Sequence, residues 1–191
     1  MTRRFLPVLA LLLVLGTVAL LAESRTKSYS YLAPDRGGRV VVVPVGKEAG
    51  RSDYESRVEF RSGDDHLLCA LDYSSEDAEH GFGVVKAEWT ADSQYFVFSL
   101  TSSGGHQAWH APTQFYSRRE GIVRSLDDYF ESGITSAHFR LLAPNTVKTE
   151  IRDDKSASLK LDTLPTLRSW RQAKPFIVEC KGGRSIKVDQ P

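Results

Sequence analysis

The run Tyr95-Phe96-Val97-Phe98 constrains this chain more than any other stretch. Aromatic and β-branched side chains favour extended backbone, and apolar groups on both faces of a strand require cover on both sides. The run therefore predicts a strand buried on both faces. Just before it, Val85, Ala87 and Trp89 alternate with Lys86 and Glu88, the period of a half-buried strand. Thr90-Ala91-Asp92-Ser93 between the two is a turn, because Asp and Ser side chains bond back to nearby backbone. After Leu100 the pattern gives way to Thr101–His110, a polar stretch with two adjacent glycines, Gly104 and Gly105. Strands are predicted again over Thr113–Ser117 and over 121–126, separated by the polar turn Arg118-Arg119-Glu120-Gly121.

The same alternation recurs along the chain. A run of valines marks a strand over 39–45, with a polar loop over 46–56 after it. Val58 and Phe60 point inward from 57–61, Ser62-Gly63-Asp64-Asp65 makes a hairpin connection, and 67–73 is its partner strand. The 74–83 segment is a long acidic loop carrying Glu79 and His80, where binding loops are expected at a sheet end. Ser125-Leu126-Asp127-Asp128 fits a helical turn with a capping pattern, and His138 to Leu142 resumes as a strand. Val147, Thr149 and Ile151 alternate with Lys148, Glu150 and Arg152, and Leu159 and Leu161 with Lys160 and Asp162, a hairpin with one wet face. Pro165 is expected to open a short helix carrying Leu167 and Trp170. Strands follow over 176–180 and 185–188. About a dozen short strands and one or two helical turns make an all-β pattern, either a propeller-like fragment or a β-sandwich.

Residues Trp89-Thr90-Ala91-Asp92-Ser93-Gln94-Tyr95-Phe96-Val97-Phe98 resemble the W-S-P-D-G repeat of TolB-like, WD40-like β-propellers. In that family the tryptophan ends one strand, Pro-Asp-Gly turns, and an inner strand begins. Here Ala91 stands in place of the proline and Ser93 in place of the glycine. The resemblance covers one junction, whereas a propeller repeats the motif in several blades. It implies a fold element and carries no activity with it.

Three segments are expected: 1–22 as a signal peptide or membrane anchor, 23–38 as a polar linker, and 39–191 as one all-β domain. Arg3 and Arg4 precede an apolar run over 7–22, short for a spanning helix and long for the core of a secretory signal. Either outcome puts the domain outside the cytoplasm, periplasmic, secreted or anchored. Contact with a membrane is expected only through that segment, if it stays attached. Cys69 and Cys180 then lie in an oxidising compartment and are positioned on strands that a disulfide can join. The alternative is two small buried hydrophobes. The formal net charge of +1 gives no electrostatic case for nucleic acid.

No nucleophile elbow, phosphate-binding glycine loop or dinucleotide fingerprint is present. The best surface candidate is the loop holding Gly104, Gly105, His106, Gln107, Trp109 and His110, with Phe115 and Tyr116 beside it. Flat aromatics with a polar rim suit recognition, although the same rings also serve as core. The expectation is a binding module for an envelope protein or a small ligand such as a glycan, with no cofactor. The competing expectation is a metal-dependent exported enzyme, such as a hydrolase, using His106 and His110 with His80 and Glu79. The four-residue spacing of His106 and His110 aligns two ligands only on a helix, and the glycines and Pro112 favour a loop.

Overall fold

The computed structural model describes residues 27–45, 55–105, 109–165 and 174–191. The apolar 7–22 run, His106, Gln107, Leu167 and Trp170 lie outside the described residues, and so do the expectations placed on them. The fold is all-β, and the described residues form three sheets stacked in layers and two single 3-10 turns. The first sheet is a meander of β1 (Tyr29–Leu32), β2 (Gly38–Val45), β3 (Glu55–Ser62) and β4 (Leu67–Asp72). The second repeats the plan with β5 (Phe82–Trp89), β6 (Tyr95–Ser102), β7 (Thr113–Ser117) and β8 (Ile122–Ser125). The third has β9 (Arg140–Leu142), β10 (Thr146–Ile151) and β11 (Lys155–Lys160). The last two strands return across the molecule. β12 (Ile177–Glu179) adds to the second sheet beside β8, and β13 (Arg184–Lys187) runs parallel to β4 in the first.

The second sheet is the middle layer, and β6 explains why. Phe96, Phe98 and Leu100 pack with Val40, Val42, Val58, Phe60 and Leu71 of the first sheet. From the opposite face, Tyr95 and Val97 pack with Val147 and Leu159 of the third. β6 is buried on both faces over its first six residues, as its composition requires. Phe60 sits among the rings of Phe96, Phe98 and Tyr116 at centroid distances of 6.4, 6.2 and 4.5 Å, adding edge and tilted ring contacts to apolar burial.

Local details depart from simple alternation. A β-bulge between Val84 and Lys86 inserts an extra residue opposite β6, so Val85 leaves the Ala87–Trp89 face and is exposed while Val84 packs against the core. Within 23–38, Tyr29–Leu32 form an edge strand on β2 rather than a linker, held by backbone pairing although its side chains are largely exposed. At the hairpin between β5 and β6, Ser93 adopts φ of 59°. This is the left-handed region that a glycine takes at no steric cost. Ser93 Oγ there accepts the Asp35 amide at 3.0 Å, tying the turn to the first sheet. The turn leads from Trp89 into β6 of the same sheet, and the Trp89 indole donates to the Tyr31 carbonyl at 2.9 Å.

Cys69 and Cys180 form a disulfide. Cys69 lies on β4, and Cys180 follows β12 directly, so the bond joins the first sheet to the strand that edges the second. The disulfide argues for an oxidising, non-cytoplasmic compartment. Among the described residues no helix is long and apolar enough to cross a membrane.

Candidate functional site

Antiparallel pairing brings three connections to one end of the stack. Phe82 pairs with Ser102, Ser99 with Thr113, and Gln114 with Ser125, so the β4–β5, β6–β7 and β8–β9 loops emerge together. The first two are joined by Glu55, the first residue of β3, which is only 2% exposed. Its carboxylate accepts the Ser75 amide at 2.6 Å, the Ser75 hydroxyl at 2.6 Å, the Gly81 amide at 2.7 Å and the Ser103 hydroxyl at 2.9 Å. These bonds satisfy a buried charge that is otherwise costly. Gly81 is required there: a Cβ would lie 2.4 Å from the Glu55 carboxyl carbon and 2.5 Å from the Tyr73 carbonyl oxygen.

The loop between Ser75 and Gly81 is further organised by Asp77. Its carboxylate accepts the Glu79 and His80 amides at 3.0 and 3.2 Å and meets His80 Nδ1 and the Ser75 hydroxyl. The Glu79 amide, the Ser75 hydroxyl and the His80 ring hold the Asp77 carboxyl well below the usual carboxylate range. Glu79 and His80 thus contribute to a self-braced turn.

Across the end, Gly104 and Gly105 lie in an exposed turn after β6, with Gly105 at φ of 68°. Trp109 is 66% exposed. The chain is anchored again at His110, whose Nε2 lies 3.0 Å from Asp127 Oδ1. Asp127 also accepts the Ile134 amide at 2.9 Å and the Thr113 amide at 3.1 Å. Gly133 lets the His110 ring approach the backbone, because a Cβ there would come within 3.1 Å of the ring. The expected helical turn is a 3-10 turn over Asp127–Tyr129 without a side-chain cap. Asp127 is drawn instead to amides and an imidazole outside the turn, and the buried Ser125 hydroxyl has no partner among the described residues. The structure separates the aromatic trio. Phe115 and Tyr116 are core residues on opposite faces of β7, because that strand lies in the doubly covered middle sheet, and only Trp109 faces solvent.

Of the metal-ligand candidates, His80 pairs with Asp77 and His110 with Asp127, so the two histidines are committed to different carboxylates. Among the described residues no group of three or more His, Cys, Asp or Glu side chains is arranged to hold a metal ion. Glu55 was not legible as a site residue: its partners lie 20, 26 and 48 residues away, and no local spacing signals them.

Behind the loops, Asp128 is buried with Oδ2 accepting the Phe176 amide at 2.9 Å, and Oδ1 has no partner among the described residues. Burial raises its pKa, and the neighbouring Asp127 charge adds to this against the Phe176 bond. A raised carboxyl pKa in the folded state penalises the charged form. The cost is full above the folded pKa and fades as pH falls towards the unfolded value. Asp128→Asn keeps an acceptor for Phe176 and removes that charge. It is expected to stabilise the protein at neutral pH, a gain that fades as pH falls towards the unfolded aspartate value. Urea melts at neutral and acidic pH check this, and a variant that is less stable at neutral pH contradicts it.

No protein-family model matches the chain, and a search of curated proteins also finds no match. The layered β fold and the loop cluster at its end therefore carry the functional argument alone.

Proposed function

We propose that the chain is an exported, envelope-associated binding module that holds a protein or small ligand through the Trp109 loop. The observation that carries this reading is the contrast between Trp89 and Trp109. Trp89 is buried with its indole hydrogen bonded, whereas Trp109 presents two thirds of its surface to solvent from a loop pinned at both ends. An exposed aromatic beside an anchored residue, here His110, offers a large apolar contact. The basic residues Arg3 and Arg4, the apolar segment behind them and the disulfide support export.

Trp109→Ala is expected to change folding stability by less than about 0.5 kcal/mol, as for other exposed positions. It is expected to weaken partner capture from envelope extracts by about thirtyfold, the size of an aromatic hot spot. Capture at wild-type strength by the variant, or a variant that loses its β-sheet signal, rules out this surface.

A further inference from the structure

The third sheet has a second face that the core does not use. Val147 and Thr149 point into the apolar layer against the middle sheet, so Lys148 and Glu150 point outward. Pairing sets the neighbours of these two residues. Lys148 lies between Arg140 of β9 and Ser158 of β11, and Glu150 lies opposite Ser156. His138, two residues before Arg140, precedes β9 and joins the wall of the same hollow. A cavity of about 230 Å³ opens here, lined by His138, Arg140, Lys148, Thr149, Glu150 and Ser156.

The charges in this groove are poorly matched internally. Lys148 and Arg140 are directly opposite on antiparallel strands, where like charges repel. Neither forms an ion pair among the described residues, with Glu150 or with any other carboxylate. A chain shaped only for stability gains by placing an acid at one of these positions. The backbone beneath is nonetheless firmly held. Lys86 Nζ reaches from β5 to the Phe139 carbonyl at 2.6 Å and lies 4.8 Å over the Phe139 ring. On the other side the Thr135 amide donates to the Glu150 carbonyl at 3.1 Å, and Ile134 bridges Ile151. Two cations without ion-pair partners, a carboxylate and a hydroxyl therefore surround a hollow whose supporting backbone is already ordered, which lowers the cost of binding.

We propose that this groove binds a small ligand carrying an anionic oxygen group, a phosphate, sulfate or carboxylate, next to a free hydroxyl. Arg140 and Lys148 take the anion from two sides, Arg140 with its planar donor fork and Lys148 as a point charge. Ser156 and His138 add hydrogen bonds. Glu150 accepts from the neighbouring hydroxyl and excludes ligands that are anionic throughout. Phosphorylated and acidic sugars have this chemistry. The site is separate from the Trp109 loop and does not depend on its role.

The test is an NMR titration of the isotope-labelled chain at low ionic strength with inorganic phosphate, a hexose phosphate and the free hexose. Both phosphates are expected to produce saturable shifts confined to amides of 138–150 and 156. The hexose phosphate is expected to bind about tenfold more tightly than inorganic phosphate, one well-made polar contact's worth. Arg140→Gln/Lys148→Gln is expected to abolish the shifts without lowering Tm, since it removes only a repulsion. Glu150→Gln is expected to erase the preference for the hexose phosphate, and Trp109→Ala to leave all three titrations unchanged. Absence of saturable shifts, shifts that survive in the double glutamine variant, or shifts spread over every surface lysine and arginine overturn the site. Equal affinity for the two phosphates overturns the ligand class.

Discussion

Replacing Cys69 and Cys180 together by alanine is expected to lower the unfolding free energy by about 4 kcal/mol. The bond closes a loop with a sequence separation of 111 residues, which restricts the unfolded chain strongly in the chain-entropy model. Its position adds a local consequence. β12 pairs with β8 over only three residues and β13 with β4 over four, so neither strand has many ladder bonds of its own. Without the bond, the segment from 174 onward is expected to open before the rest of the fold. Denaturant melts of the wild type and the double alanine variant measure the global loss. Hydrogen exchange at Val178 and Ile186, against Val97 as an internal reference, measures the local one. A stability change below about 1 kcal/mol would mean that the short strands hold the sheets together unaided.

The second large effect is expected at Glu55. Glu55→Ala removes the acceptor for two backbone amides and two hydroxyls at once. An amide left buried without a partner costs about 1–3 kcal/mol, so a loss of about 3 kcal/mol is expected overall. Glu55→Gln retains one oxygen and the shape, and should recover roughly half of that loss. Gly81→Ala reaches the same junction from the other side by driving a methyl group into the carboxylate and the Tyr73 carbonyl. Because Ser103 leads into the Trp109 loop, Glu55→Ala should also weaken partner capture at temperatures where the variant remains folded. Melts by circular dichroism, with exchange rates at the Ser75 and Gly81 amides, decide the point. Unchanged exchange at those amides would show that the carboxylate does not hold them.

The legible and illegible parts of the fold divide along physical lines. Wherever a strand has two distinct faces, its period shows. Val58 and Phe60, Val147 and Thr149, and the doubly apolar β6 are legible in side-chain pattern alone: the four named residues are buried, and so is β6 over its first six residues. Val85 defeats the pattern because a bulge is a backbone event with no compositional mark. β1 escapes the pattern because it is a four-residue edge strand, Tyr-Ser-Tyr-Leu, set in a polar stretch and held by backbone pairing, with little side-chain burial. Pairing of β13 with β4 joins Arg184 to Cys69, and only the disulfide hinted that these regions meet. At the candidate site, the Gly-Gly turn and Trp109 stood out locally, since glycines and Pro112 interrupt any strand there. The status of Phe115 and Tyr116 did not, because an aromatic strand is equally suited to a surface or a middle layer until its neighbours are known. His110 and Asp127 lie seventeen residues apart with no spacing that marks them as a pair.

The route of the last two strands has a consequence in time. Synthesis proceeds from the N-terminus, and β4 is made more than a hundred residues before the strand that covers its free edge. Until residue 184 emerges, the first sheet displays open backbone donors and acceptors and an unpaired thiol. Such an edge invites pairing with another chain, and distant pairings of this sort form slowly. The nascent protein therefore passes through a stage that is both adhesive and oxidisable. Joining Cys180 to Cys69 and β13 to β4 ends that stage.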